Sequence, residues 1–372
     1  MTGLDFTGLT VCPAQVWGGV RLVPLVREEP LPGLRLHREV YDRFGEVLVS
    51  PGTGYVSYIP HGLVADWSGE QSASYGTQLD TARPTGTAIV RHHRMVKRRP
   101  SKKKGQPGRA VTRCRFLPLH LAMEGYLALH FGGPTIAWNQ WSQEALRQGL
   151  SPRSEAAYLG LDVPGLADAL RVFEIHPGQC GVLVYVADAL AAAFVVPHPD
   201  DYRTLHPTLL QDMYGELIHQ YGHFGAPVPD FEARLGDGRH IGTLADLRAA
   251  TRAQERTWRE SHDTVMAPEL LGASYSFERV RRMASFDMYR FLPPFRLDSG
   301  GQHIGELITD HKGRTAYLKT FRLAPAQIRR GHLLNSLAAN DWHLRRTADQ
   351  LGTTPEEIVR RIRAAGFGTL LK

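Results

Sequence analysis

At 372 residues the chain is longer than one hydrophobic core usually organises, so two or three domains are expected. Its 42% hydrophobic and 9% aromatic content excludes a disordered chain, and no apolar run reaches the roughly 18 residues of a membrane span, which predicts a soluble protein. The formal charge of +7 is local: residues 91–115 hold eleven Lys and Arg and no acid, and the remainder carries 33 basic against 37 acidic residues.

The opening stretch MTGLDFTGLTVCPAQ has no basic segment followed by an apolar run, so no secretory signal is expected and the reading is cytoplasmic. Short apolar runs broken by Gly and Pro follow, at 20–26 (VRLVPLV), 45–50, 54–59 and 85–90; they predict strands and turns. The segment 97–109, with RRPSKKKGQPGR at its centre, combines Pro, Gly and like charges and reads as a mobile basic loop. Strands are expected on its far side at 111–119 and 125–131, and helices over 139–172. The runs at 181–187 and 189–196 straddle Asp188 as a hairpin, and 200–222 carries the apolar stripe of a long helix ended by Gly222. Pro and Gly recur over 225–242, a charged helix follows at 243–262, and runs at 304–309 and 315–323 form a second hairpin about DHKGR. Strands and helices in these blocks predict an α+β class: a body over 1–242, a connecting helix and hairpin over 243–325, and an all-helical module over 326–372.

The C-terminal module has the most specific pattern. Helices are expected over 327–340, 343–352 and 353–367, with Ile328, Leu333, Leu334 and Leu337 facing inward. Thr354 fits the N-cap of the third helix, Pro355 its first position, and Glu357 the far side of a capping box. Leu333-Leu334, Ala338, Asn340, Trp342, the Thr347-Ala348 to Leu351-Gly352 elbow, Ile358, Arg360-Arg361, Ile362 and Gly366-Phe367 resemble the Fis-type helix-turn-helix of bacterial regulators. The resemblance implies that 355–365 enter the DNA major groove, with Arg345, Arg346, Arg360, Arg361 and Arg363 on phosphates and a homodimer reading paired half-sites. Glu356 and Glu357 depart from it, since carboxylates in the first turn oppose phosphate.

Upstream, GQCGVLVYVADALAAAFVV and the Leu205, Pro207, Leu209, Leu210 pattern resemble the ARG and rhodanese-phosphatase-superfamily associated proteins over about 15–245. That resemblance implies ADP-ribose-processing partners and carries no catalytic residues with it.

Other candidates weigh less. Glu216, His219 and His223 have spacings that suit zinc, except that Gly222 ends the helix between the two histidines. Cys180 follows His176 closely, yet it begins an apolar strand, where a thiol is usually buried and inert. Cys12, Cys114 and Cys180 lie far apart and are odd in number, which argues against a disulfide framework. The run GGQHIGE at 300–306 precedes a strand and not a helix, unlike a phosphate loop. In the basic segment Lys97, Arg98, Arg99, Lys102, Lys103 and Lys104 offer salt-dependent affinity for nucleic acid.

Together these residues predict a non-enzymatic DNA-binding regulatory or accessory protein with a ligand- or partner-sensing body. The alternatives are an enzyme or enzyme partner acting on ADP-ribosyl or nucleotide-derived groups, and a protein-binding adaptor. No cofactor is indicated by any motif.

Overall fold

The computed structural model describes residues 1–36, 46–50, 53–57, 63–66, 73–75, 93–99, 111–116, 127, 175–213, 235 and 240–371. The chain divides into two units: Met1–Arg35 with Pro164–Pro294 and Gly301–Arg322, and Leu36–Val163 with Phe295–Gly300 and Leu323–Lys372.

The first unit starts with β1 (Thr10–Val11), β2 (Gln15–Trp17) and β3 (Val20–Val26). Pro24 explains why β3 has two short partners on one side. Its carbonyl accepts from the Cys12 N–H at 2.9 Å, so its missing donor faces the same side, and the neighbouring chain breaks there into β1 and β2. A two-residue strand, β4 (Arg35–Leu36), ends this stretch.

In the second unit β5 (Glu46–Ser50), β6 (Thr53–Ser57), β9 (His93–Arg99) and β10 (Val111–Phe116) form an antiparallel sheet in the order β10-β9-β6-β5. Between them β7 (Leu63–Asp66) pairs with β8 (Ala73–Tyr75). Lys97, Arg98 and Arg99, expected in the basic loop, end β9 instead, in register with Arg113, Thr112 and Val111. Pairing with β10, and for Lys97 also with β6, outweighs the like-charge repulsion that suggested a loop from 97. Leu127, expected in a strand, is helical and fully buried. The runs at 85–90 and 139–172 lie outside the described residues.

The first unit resumes with β11 (Gln179–Val186) and β12 (Ala189–Val195), the hairpin anticipated about Asp188. Ala187 and Asp188 both take positive φ, 49° and 62°, as a two-residue turn matched to strand twist requires. Helix α1 (Pro199–Met213) follows; the expected continuation to 222 lies outside the described residues. Helix α2 (Leu244–Ser261) begins at a full capping box: Thr243 accepts from the Asp246 N–H, and the Asp246 carboxylate accepts from that of Thr243. It passes directly into a π-helical turn (His262–Met266) and then α3 (Pro268–Leu271).

Strands β13 (Ser276–Met283) and β14 (Phe286–Leu292) make a hairpin that the sequence did not announce, because SFERVRRM is too charged to look like a strand. β13 lies at the sheet edge, where one face meets solvent and such residues fit. The last pair, β15 (His303–Asp310) and β16 (Thr315–Arg322), is the second anticipated hairpin. All these strands belong to one antiparallel sheet of order β1-β3-β11-β12-β16-β15-β14-β13, with β2 also on β3. The strands of 276–322 therefore complete the sheet begun by β3, β11 and β12, through the pairing of β12 with β16.

β11 and β15 are buried at every residue, so their side chains do not alternate between core and water. One row crossing four strands is charged: Glu278, Arg290, Glu306 and Lys319 stand opposite one another with alternating sign. Glu306 and Lys319 are buried, which only opposite charges at cross-strand distance make tolerable.

The second unit ends in α4 (Pro325–Ala339), α5 (Leu344–Gln350) and α6 (Pro355–Ala364), then a 3-10 turn (Gly368–Leu371). Leu333, Leu334, Leu337, Ala348, Ile358, Ile362 and Phe367 form their shared core. Phe295, at φ 51°, packs on α4 where Gly331 leaves no side chain. The chain is of the α+β class, with a mixed strand and helix body and an all-helical C-terminal module.

Candidate functional site

In the module, α4 hands over to α5 through Asp341 and Trp342, both at positive φ, and the Trp342 N–H caps the Leu337 carbonyl at 2.8 Å. The His343 ring accepts from the Arg346 N–H at 3.3 Å and starts α5. Gly352, at φ 60°, turns the chain between α5 and α6, and nothing crowds the place where a Cβ would stand. The Thr347 and Ala348 side chains are fully buried, as the expected helix crossing requires.

Thr354 caps α6 by accepting from the Glu357 N–H at 3.3 Å, but the reciprocal half of the expected capping box is not made. The Glu357 carboxylate turns along the helix. It accepts from Arg360 Nε at 2.6 Å and Nη2 at 2.9 Å, and from Arg361 Nε at 2.9 Å. Two guanidinium groups at i+3 and i+4 outcompete one backbone amide, and those of Arg360 and then Arg361 hold the carboxyl down to about 2. Ile358 and Ile362 face the core, whereas Arg345, Arg346, Glu356, Arg360, Arg361 and Arg363 are exposed. The five C-terminal arginines singled out from the sequence are thus all exposed on α5 and α6. Of the basic segment, Lys97, Arg98 and Arg99 lie in β9; Lys102, Lys103 and Lys104 lie outside the described residues.

The metal candidates Glu216, His219 and His223 also lie outside the described residues, and among those described no cluster of three or more His, Cys, Asp or Glu could hold a metal ion. Cys180 is fully buried on β11, and burial raises its thiol despite the adjacent Arg27. Arg27 is buried too and ties strand ends together, its Nη2 donating to the Thr315 carbonyl at 2.6 Å. Gly301 of the glycine run has the Glu269 carboxylate against it, a poor neighbour for phosphate.

One polar chain has no signature in the sequence. The Asp263 carboxylate accepts from His262 Nδ1 at 2.8 Å, so the other ring nitrogen accepts the Tyr185 O–H at 2.6 Å. His262 and Tyr185 are fully buried, with Phe6 and Trp258 around the imidazole. The π-helical turn brings His262 against β11; Tyr185 is 77 residues away, so no local spacing announces the contact. With the Tyr185 hydroxyl closed to solvent, the chain fastens the turn to the sheet.

The class defined by this architecture is an α+β protein built on a large antiparallel sheet, with a three-helix module at its C-terminal end. The sequence profile of the ARPP-2 family matches residues 4–284. The chain belongs to this family, the ARG and rhodanese-phosphatase-superfamily associated proteins. The match takes in β13 and reaches beyond the segment of about 15–245 that carried the resemblance in the sequence. No curated protein and no solved structure matches the chain.

Proposed function

We propose that this ARPP-2 family protein is a nucleic-acid-associated regulatory or accessory factor that binds duplex DNA through its C-terminal module. The observation that carries the reading is the division of α6: Ile358 and Ile362 anchor it, and Arg360, Arg361 and Arg363 face solvent with Arg345 and Arg346 of α5. The Glu357 carboxylate, which by sequence alone opposes phosphate, is neutralised by two of these arginines, so the cluster keeps a net positive charge. In this reading α5, the Gly352 turn and α6 act as a Fis-type helix-turn-helix, and a homodimer presents two of them to paired half-sites. Lys97, Arg98, Arg99, Lys102, Lys103 and Lys104 add sequence-independent affinity.

The test is binding of the full chain to a random-sequence duplex across a salt series, beside the triple variant Arg360→Ala, Arg361→Ala, Arg363→Ala and a variant with Lys102, Lys103 and Lys104 changed to Ala. Each cation withdrawn from a phosphate lowers the slope of log K against log salt by about 0.9, so each triple variant is expected to flatten the slope by about 3. Absence of binding at low salt sinks the proposal.

Family membership supports a second reading, in which the body associates with ADP-ribose-processing proteins or takes up an ADP-ribosyl group itself. Calorimetric titration with ADP-ribose separates the two forms, since saturable heat appears only if the body binds the nucleotide directly.

A further inference from the structure

The second unit contains a cleft of about 390 Å³ on the side of α4, bounded by Leu297, Ala326, Arg329, Leu333, Leu351 and Arg361, among others. Its apolar lining comes from Leu333, Leu351, Ala364 at the end of α6 and the capping Ala365. Its edge carries Arg329, Arg330 and Arg361, the last bonded to Glu357 at 2.9 Å, and no acidic residue lines the cleft. Leu297 lines the cleft and is 61% exposed, so it adds apolar surface beside that of Leu333 and Leu351.

Rigid anchoring makes this cleft a preformed surface. Phe295, two residues before Leu297, is buried against Gly331, and its carbonyl accepts from His332 Nδ1 at 3.2 Å. Both interactions fix Phe295 on α4. A surface with an apolar centre and a rim of one charge sign selects a partner of matching pattern: apolar anchors on one face, carboxylates flanking them. Bare nucleic acid lacks the anchors, and an uncharged apolar helix offers Arg329 no carboxylate.

We propose that this cleft is a docking site for an acidic amphipathic segment of a partner protein, with one or two aliphatic side chains seated on Leu297, Leu333 and Leu351 and a carboxylate on Arg329. This is the helix-in-groove mode of recognition, with anchors at spacings of three or four residues. It does not rest on the nucleic-acid reading, because Leu297 and Arg329 take no part in that interface.

The test is selection of a display library of random 16-residue peptides on the full chain, followed by titration of the enriched peptides. Leu297 is exposed, so Leu297→Asp leaves the packing beneath it intact. Expected are peptides with aliphatic residues three or four apart and flanking Asp or Glu, bound at least ten-fold more weakly by Leu297→Asp and by Arg329→Glu, while binding to a DNA duplex is unchanged by Leu297→Asp. Failure to enrich such peptides, or equal binding by Leu297→Asp, overturns the proposal. Two further outcomes also overturn it: loss of duplex binding in Leu297→Asp assigns the cleft to nucleic acid, and a dimer in sedimentation that this variant dissolves assigns it to a second copy of the chain.

Discussion

Glu357 shows how one side chain can serve either of two bonds. At N3 of α6 it could close a capping box, and it instead pairs with Arg360 and Arg361. Thr354 alone then supports the start of the helix, so Thr354→Ala is expected to cost about 1 kcal/mol in chemical denaturation of the module. Glu357→Gln removes a carboxylate from the arginine cluster, and the duplex affinity of the full chain should rise with a salt slope steeper by about one. An unchanged slope places α6 away from phosphate. Gly331 is a second case. A Cβ there would lie 2.1 Å from Phe295 Cε1, and that ring is itself buried. Gly331→Ala should destabilise the second unit by about 1–3 kcal/mol despite the better helix propensity of alanine, as read by denaturant midpoint.

Elements in this protein are held by a few side chains that reach across them. The π-helical turn after α2 is tied to β11 by the bond between His262 and Tyr185. Tyr185→Phe leaves a buried imidazole nitrogen unpaired and should cost about 1–3 kcal/mol, with faster hydrogen exchange confined to 262–271 if the tie is local. The three-helix module depends on Ile358 and Ile362 in the same sense. Ile358→Ala is expected to cost about 2–5 kcal/mol and to expose α4 to α6 to exchange while β11, β12, β15 and β16 stay protected. Much of these elements was legible in sequence. Two apolar runs straddling the Asp188 turn marked β11 and β12, and Thr354-Pro355 marked the start of α6. β13 was not legible, since Glu278, Arg279, Arg281 and Arg282 break the apolar pattern of a strand and only an edge position makes them acceptable.

Across the whole molecule, stability is tied to pH through two buried histidines. Burial pushes the His206 imidazole down to about 4, and burial with the Arg322 charge pushes that of His303 down to about 3, from an ordinary 6.5. Both stay neutral in the folded chain while the unfolded chain takes up protons as pH falls through 6.5. Stability is therefore complete above that pH and declines below it, by at most about 1.4 kcal/mol per pH unit for each histidine, until the folded chain also protonates at about 4 and 3. Thermal denaturation between pH 7.5 and 4.5 should show the decline, and His303→Gln should reduce its slope. A flat profile would mean that the two imidazoles reach water.

The sequence by itself determined what depends on neighbours a few residues apart. The hairpin turns, the helix caps, the inward stripe of α4 and the α+β class follow from periodicity, turn chemistry and hydrogen-bond donors within one or two turns of chain. Only the tertiary structure decided which strands meet. β12 pairs with β16 across more than a hundred residues, and that pairing joins 276–322 to the sheet of the first unit, buries Lys319 beside Glu306 and closes His303 off from water. It also decided that Leu297 lines an apolar cleft with Leu333 and Leu351. Such contacts depend on long-range strand order and on packing between helices, which no local pattern of residue types specifies.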